Sequence, residues 1–428
     1  MSDVLILSAI VMLVLLFLKV PVYIAVLGGS MVYFVLNPDI NAVVFAQQAI
    51  IGTEKISLMA IPFFICAGIF MNYTGVTKRI MDFCEVVTGR LPGGLAQVNV
   101  LLSTVMGGLS GSNIADAAME SKMMVPEMTK KGFSLEFSSV VTAASSMITP
   151  LIPPGIAMIL YGCIANVSIG KLFISGFGVG GLLCITMMIL VGVISKKRGY
   201  GNLTTEKLTW PRFWKAFKPA VLPLLLPIII IGGIRIGIFT ATEAGAVAIL
   251  YAALLGVIYR EMHVKDMVQG LKETVCSTAS IMLIVSAASV FSWILTKERI
   301  PQMLTEWMLA TIHSRIVFLI VVNIFLLIVG MFIEGNASMI ILVPLLAPIA
   351  ASYGINEIQF AMIYIFNNAI GALSPPMGTL MFVTCSITKC KTADFIKEAV
   401  PFYILLVTNL LLLTWFEPFT TFLVNLFY

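Results

Sequence analysis

The sequence predicts an all-α, polytopic membrane protein built from two repeats, each with a re-entrant helical hairpin and a broken helix. Of its residues, 59% are hydrophobic and 11% are charged, whereas a soluble domain carries roughly 25% charged residues. Apolar segments of about 20 residues, the length needed to cross a bilayer, recur along the chain and indicate roughly 10 to 12 spans. Helix-breaking motifs interrupt this apolar sequence at two places about 220 residues apart.

The two interruptions share one pattern of glycine, small polar residues and paired prolines. They cover 107–113 with 149–155 in the first half and 334–338 with 371–378 in the second half. In each copy a glycine, Gly132 or Gly354, stands 21 residues before the double proline. Broken helices at corresponding places in two halves indicate a transporter binding site.

The alignment of the two copies is expected to be imperfect. The first copy has about five more residues between Asn113 and Pro126 than the second has between Asn336 and Pro344. Hairpins that enter and leave the membrane on one side favour opposite insertion of the two repeats, by analogy with known transporters.

A basic loop near the middle of the sequence divides the chain into two halves of comparable length. The basic loop from Lys196 to Lys218, which includes Lys207, is predicted to be cytoplasmic, and 297–299 is then outside. Lys19 is the only such marker near the first segments. The predicted regions are scaffold helices with an interfacial arm (1–95), transport repeat 1 (96–195), the basic linker (196–218), further scaffold helices (219–315), and transport repeat 2 with a C-terminal span (316–428).

Oxygen-bearing side chains gather at both interruptions. They are Ser110, Ser112, Asn113, Ser145, Ser146 and Thr149 in the first copy, and Asn336, Ser338, Asn367, Asn368 and Ser374 in the second. Hard oxygen ligands without clustered thiols or imidazoles suit an alkali cation, and helix N-termini at the same tips suit a substrate carboxylate. Any one of these residues alone is more typical of close helix packing, but their duplication favours a binding role.

Several charges lie inside apolar sequence, where they are costly and often functional. They are Asp116, Glu120, Lys122, Arg235, Glu243 and Glu334. Each is either an ion-pair or helix-end charge, or a group with a direct role in binding or proton coupling. The chain has no phosphate-binding loop, so we expect a carrier that is not an enzyme, is driven by an ion gradient or a partner, and binds no nucleic acid.

At these residues the chain resembles the large membrane subunit of tripartite ATP-independent periplasmic (TRAP) transporters. The resemblance rests on 19–22 (Lys-Val-Pro-Val), 59–64 (Met-Ala-Ile-Pro-Phe-Phe), 89–94 (Gly-Arg-Leu-Pro-Gly-Gly), 110–116 (Ser-Gly-Ser-Asn-Ile-Ala-Asp), 152–154 (Ile-Pro-Pro), 240–247 (Thr-Ala-Thr-Glu-Ala-Gly-Ala-Val), 334–335 (Glu-Gly) and 374–378 (Ser-Pro-Pro-Met-Gly). Glu120, Ser121 and Lys122 depart from it, since small residues are expected there.

The resemblance implies an inverted-repeat ion-transporter-type fold with two re-entrant helical hairpins and broken helices. It also implies a sodium-coupled, elevator-type importer of the bacterial inner membrane. Its solutes would be acidic, such as sialic acid, other sugar acids or C4-dicarboxylates. A periplasmic binding protein would deliver them, and a separate small membrane subunit of about four helices would accompany this chain in the lipid bilayer. The alternatives are a stand-alone sodium/dicarboxylate symporter, a non-transporting scaffold or sensor, and proton coupling through Asp116 or Glu334.

The resemblance also implies site residues for at least two sodium ions and for the substrate. The first sodium site would draw on Ser110, Gly111, Ser112, Asn113, Ser145, Thr149 and Pro150, and the second on Gly335, Asn336, Ala337, Ser338, Asn367 and Gly371. The substrate would lie between the tips, near Ser112, Asn113, Ser146, Pro154, Asn336, Asn368, Ser374 and Pro376.

Overall fold

The computed structural model describes residues 3–18, 20–204 and 208–428. Within those ranges the regular secondary structure is helical, and there is no strand. Lys19 and Lys207, used above as charge markers, lie outside the described residues. The first half contains α1 (Asp3–Phe17), α2 (Val22–Leu36), α3 (Val43–Ile51), α4 (Ala60–Tyr73), α5 (Val76–Thr88), α6 (Gly94–Ser110), α7 (Asn113–Lys130), α8 (Leu135–Ser145), α9 (Ile156–Ala165) and α10 (Ile169–Arg198).

The second half contains α11 (Trp210–Arg235), α12 (Ala241–Tyr259), α13 (Val264–Lys297), α14 (Ile300–Thr311), α15 (Arg315–Phe332), α16 (Gly335–Ser352), α17 (Glu357–Leu373), α18 (Thr379–Thr388), α19 (Thr392–Trp415) and α20 (Pro418–Phe427). Short 3₁₀ segments cover Ile56–Met59 and Ser146–Leu151. The predicted linker 196–218 therefore contains the end of α10 and the start of α11.

Eight helices of the described chain are long and apolar enough to cross a membrane, or nine if the bent pair α8 and α9 counts as one span. This is fewer than the sequence suggested, because α1 and α2 have 15 residues each and α6 has 17. Helix α16, which follows the second tip, has the length and apolarity of a span. Its Pro344 and Pro348 do not end the helix.

The two repeats match more closely than the sequence suggested. Ser112 is the N-cap of α7 and Glu334 is the N-cap of α16, and both helices have 18 residues. One constant shift of 222 residues then carries 112–153 onto 334–375. The expected five-residue surplus is therefore wrong: Pro126 corresponds to Pro348, not to Pro344, because each helix holds its proline four positions before its last residue.

Helices α7 and α16 end in the same glycine turn. Gly132 and Gly354 have φ values of +88° and +66°, a left-handed conformation that glycine adopts without a steric penalty. After Gly132, the Phe133 N–H donates to the Met128 carbonyl at 3.1 Å, which closes a Schellman motif. The corresponding bond after Gly354 measures 3.2 Å. These turns send α8 and α17 back along α7 and α16.

The repeats are interlocked by reciprocal packing. Helix α7 of the first repeat packs on α18 of the second, and α16 of the second packs on α9 of the first. In the same way α8 packs on α19, and α17 packs on α10. The rings of Tyr161 on α9 and Tyr364 on α17, both fully buried, lie 6.1 Å apart. This arrangement brings both helix breaks to the middle of one core.

Candidate functional site

Both tips and both breaks open onto one cavity, which we call the central cavity. Its lining residues are Gly111, Ser112, Asn113, Ile114, Pro150, Ile156, Ala157, Glu334, Gly335, Asn336, Met339, Ile365, Asn368, Ala369, Ala372 and Thr379. Every one of them belongs to the two repeats. The structure therefore brings together predicted site residues that lie about 220 positions apart in the sequence.

The first tip is a tight turn between α6 and α7. Gly111 has a φ of +63°, and a Cβ there would lie 2.9 Å from the Pro154 carbonyl oxygen, so only glycine fits. Ser112 then caps α7 through its side-chain oxygen, which accepts from the Ala115 N–H at 3.4 Å. The positive end of α7 consequently points at the central cavity.

A buried carboxylate lies directly behind the first tip. The Thr149 hydroxyl donates to Asp116 Oδ2 at 2.8 Å, and the Ser110 side chain also lies close to Asp116. Asp116 is 1% exposed. Two predicted sodium ligands thus converge on a carboxylate that was not among the predicted ligands. The sequence feature that could have identified Asp116 as a ligand is its position in the first turn of α7, directly after the tip.

Ser145 belongs to a separate buried network. Ser103 Oγ contacts Ser145 Oγ at 2.8 Å and Glu120 Oε2 at 2.6 Å. Glu120 is fully buried, and its Oε1 has no hydrogen-bond partner in the described chain. Ser146 bonds the Ala143 carbonyl of its own helix at 2.9 Å. Neither Ser145 nor Ser146 lines the central cavity.

The second tip carries a charged cap in place of a serine. The Glu334 carboxylate accepts from the Ala337 N–H at 3.1 Å and also lines the central cavity. Across the cavity, Asn368 Nδ2 donates to the Gly335 carbonyl at 3.1 Å. Asn368 Oδ1 is buried and has no partner within the described residues.

Behind the second tip, Asn367 lies on a polar chain that the sequence did not reveal. Its Nδ2 donates to Asn323 Oδ1 on α15 at 2.8 Å, while its own Oδ1 has no partner in the described ranges. Ser338 contacts the Tyr364 hydroxyl at 3.1 Å. Asn323 was missed because it stands alone in an apolar helix, where nothing local marks a binding residue.

Close helix packing accounts for some other predicted site residues. A Cβ on Gly371 would lie 2.5 Å from the Gly330 Cα, so this glycine lets α15 and α17 touch. Ser374 donates to the Ile370 carbonyl of its own helix at 2.8 Å. Pro154 and Pro376, each following a cis peptide bond, lie outside the lining of the central cavity, as does Ala337.

The remaining charges lie away from the cavity. Glu243 forms a capping box with Thr240, whose N–H donates to its carboxylate at 2.8 Å. Arg235 donates to the Phe427 carbonyl at 2.9 Å, and Lys122 is exposed. For Glu243 and Arg235 the structure supports the helix-end interpretation.

Comparisons with known proteins identify the family of this chain. Residues 9–419 match the family described as "Tripartite ATP-independent periplasmic transporter, DctM component". The chain is 38% identical to the sialic acid TRAP transporter large permease protein of Vibrio cholerae, over 96% of each chain. It is 34% identical to the 2,3-diketo-L-gulonate TRAP transporter large permease protein of Escherichia coli, over 91% of each chain.

A third relative is named for a different substrate, and a solved transporter structure shares the fold. The C4-dicarboxylate TRAP transporter large permease protein of Pseudomonas aeruginosa is 34% identical, over 91% of each chain. The solved YdaH transporter of Alcanivorax borkumensis shares the fold, with a TM-score of 0.60 and 14% identity over 86% of each chain. The chain therefore belongs to the DctM family of TRAP transporter large permeases, which are multi-pass proteins of bacterial inner membranes.

Proposed function

We propose that this chain is the translocating subunit of a sodium-coupled importer for an acidic solute. The observation that carries the proposal is the central cavity, where the tips and breaks of both repeats meet. A cavity formed by interrupted helices at the interface of two repeats is the arrangement in which transporters hold substrate and coupling ions.

Two groups of buried oxygen atoms suit sodium ions. Behind the first tip, Asp116, Thr149 and Ser110 place a carboxylate and two hydroxyls together. Behind the second tip, the side-chain oxygen of Asn367 lacks a partner within the described residues, and the Asn367 amide nitrogen holds the Asn323 side-chain oxygen close by at 2.8 Å. An unpartnered buried oxygen is costly, and a hard cation would satisfy it.

The cavity also suits a carboxylate. Helix α7 begins at its edge under a neutral serine cap, so its positive end points into the cavity. The N-terminus of α16 is already capped by Glu334, which is the only charged residue among the described residues that line the cavity. A solute carboxylate would therefore depend on the end of α7 and on bound sodium, not on a basic side chain. The named relatives carry sialic acid, 2,3-diketo-L-gulonate and C4-dicarboxylates, and we propose an acidic solute of this kind.

The proposed movement is of the elevator type. The reciprocal packing of α7 on α18 and of α16 on α9 joins both repeats into one body, and helices α1 to α5 and α11 to α14 would form the scaffold against which it moves. Helices α6 with α7 and α15 with α16 would be the re-entrant hairpins. Family membership implies two partners, a small membrane subunit and a periplasmic binding protein.

Uptake by proteoliposomes tests the proposal. Liposomes holding this chain and its small membrane subunit would receive radiolabelled sialic acid or succinate with an inward sodium gradient or with choline instead, with and without the cognate binding protein. We expect uptake only when sodium and binding protein are both present. Uptake that persists without the binding protein would make the chain a stand-alone symporter. Uptake that persists in choline would refute sodium coupling.

A further inference from the structure

A second cavity separates the repeats from the scaffold helices, and we call it the Lys55 cavity. Its polar lining consists of Gln48, Lys55, Ser289, Ser292 and Thr296, together with the indole of Trp293. These residues come from α13 and from the segment that includes α3 and its C-terminal turn. The opposite wall comes from α9 and α16 of the two repeats.

The position of Lys55 is fixed by the packing of α3 on α13. Ser286 on α13 donates to the Ala49 carbonyl of α3 at 2.8 Å. Gly52, which ends α3, contacts Ser289 so closely that a Cβ on this glycine would overlap the serine side chain. The chain therefore turns at a fixed place, and Lys55 follows three residues later at the rim of the cavity.

The charge of this cavity is opposite to that of the central cavity. Lys55 is the one charged side chain among the described residues that line it, and no carboxylate of the described chain forms an ion pair with Lys55. The described lining of the central cavity contains Glu334 and no cationic side chain. Of these two cavities, the Lys55 cavity is thus the one whose described lining offers a cationic group to an anionic solute.

The two cavities lie along the same pair of helices. Ile156 and Ala157 of α9 line the central cavity, whereas Cys163 and Ile164 line the Lys55 cavity. At 1.5 Å per residue these positions are about 10 Å apart along α9. Thr296 lies next to the 297–299 turn that the positive-inside tendency places outside. The Lys55 cavity therefore lies on the outer side of the central cavity.

We propose that the Lys55 cavity is an outer carboxylate-binding site, where the ammonium group of Lys55 and the hydroxyls of Ser289 and Ser292 hold an acidic solute before it reaches the central cavity. The inference rests on the proposed import of an acidic solute and extends it to the entry path. A lysine suits this task because its flexible, compact charge can attract an anion and then release it.

The first test measures the local charge without transport. Ser292→Cys would be introduced into a Cys163→Ala, Cys276→Ser background, since Cys163 lines this cavity and Cys276 is exposed. The purified complex would be labelled with an anionic sulfonate and a cationic trimethylammonium thiosulfonate reagent. We expect Lys55→Gln to lower the anionic-to-cationic rate ratio at the introduced thiol about threefold to tenfold, because one nearby charge is lost. Lys171→Gln, a matched change at the start of α10, should leave the ratio unchanged.

The second test measures uptake by the same reconstituted complex with its binding protein. Lys55→Gln should raise KM for the acidic solute about threefold to tenfold while the maximal rate stays near wild type, and Lys55→Arg should restore most of the loss. An unchanged labelling ratio or an unchanged KM in Lys55→Gln would overturn the inference. If the wild-type complex itself showed no sodium-dependent uptake while the labelling ratio responded to Lys55, the proposed function would fail and the anion-attracting cavity would stand.

Discussion

Thr149 donates a 2.8 Å hydrogen bond to Asp116, and this bond joins the break of the first repeat to the helix that begins at its tip. Both side chains are buried. A helix break inside a membrane persists only where its freed polar groups find partners. The Thr149–Asp116 hydrogen bond therefore holds the break of the first repeat against the start of α7.

Thr149→Val should weaken sodium binding. Valine has nearly the shape of threonine but cannot donate to Asp116, and a hydrogen bond to a charged group contributes about 1.5–3 kcal/mol. We expect the half-saturating sodium concentration for uptake to rise about tenfold. Thr129→Val is the control, because the Thr129 hydroxyl bonds only the Pro126 carbonyl at an exposed position. Equal sodium dependence in both variants would remove Thr149 from the site.

Gly111→Ala should disrupt the first tip. Alanine would have to adopt a φ of +63° with its Cβ 2.9 Å from the Pro154 oxygen, and the left-handed backbone alone costs about 1–2 kcal/mol. We expect a lower thermal unfolding midpoint and loss of uptake. Gly181→Ala is the matched control, since no neighbouring atom lies within 4 Å of a Cβ placed there. A normal midpoint and normal uptake in Gly111→Ala would show that this tip tolerates a side chain.

Asn368→Asp should hinder binding of an acidic solute. Asn368 lines the central cavity beside Glu334, and a second carboxylate there would repel the solute anion. We expect KM for the solute to rise at least tenfold, which corresponds to about 1.4 kcal/mol. Asn425→Asp, at an exposed position of α20, should transport normally. A solute KM that stays at the wild-type value in Asn368→Asp would place the solute elsewhere.

Glu120→Leu should leave the protein folded and active. Leu342 occupies the corresponding position in the second repeat under the shift of 222 residues. Ser103 would keep its contact with Ser145 at 2.8 Å, and the change removes a buried carboxyl oxygen that has no hydrogen-bond partner within the described residues, which is costly to bury. We expect an equal or higher thermal midpoint and wild-type sodium dependence. A loss of sodium-dependent uptake at an unchanged midpoint would instead assign Glu120 a direct role in ion coupling.

Local chemistry explains what the sequence could predict. Gly111 and Gly132 permit a left-handed backbone and the paired prolines restrict φ wherever they occur, so the breaks and their duplication could be located without the structure. The register was harder to predict. From the sequence alone, Pro344 can be mistaken for the counterpart of Pro126 in the second repeat. Once Ser112 and Glu334 are known to be the N-caps of α7 and α16, Pro348 is seen to be that counterpart.

Tertiary packing explains what the sequence could not predict. Asn323 meets Asn367 only because α15 and α17 pack together through Gly330 and Gly371. Ser145, a predicted sodium ligand, turns out to face Ser103 instead of the central cavity. Such pairings depend on how separate helices meet, and no spacing within one helix encodes them.

The sodium dependence of uptake tests the central claim most directly. Initial uptake of an acidic solute would be measured across a range of sodium concentrations in proteoliposomes holding the complete complex, for the wild type and for Asn367→Ala. Two cation sites, one behind each tip, predict a sigmoidal dependence in the wild type and a nearly hyperbolic one in Asn367→Ala, where only the first site remains. A hyperbolic dependence in the wild type, or an unchanged sigmoidal curve in the variant, would contradict the account.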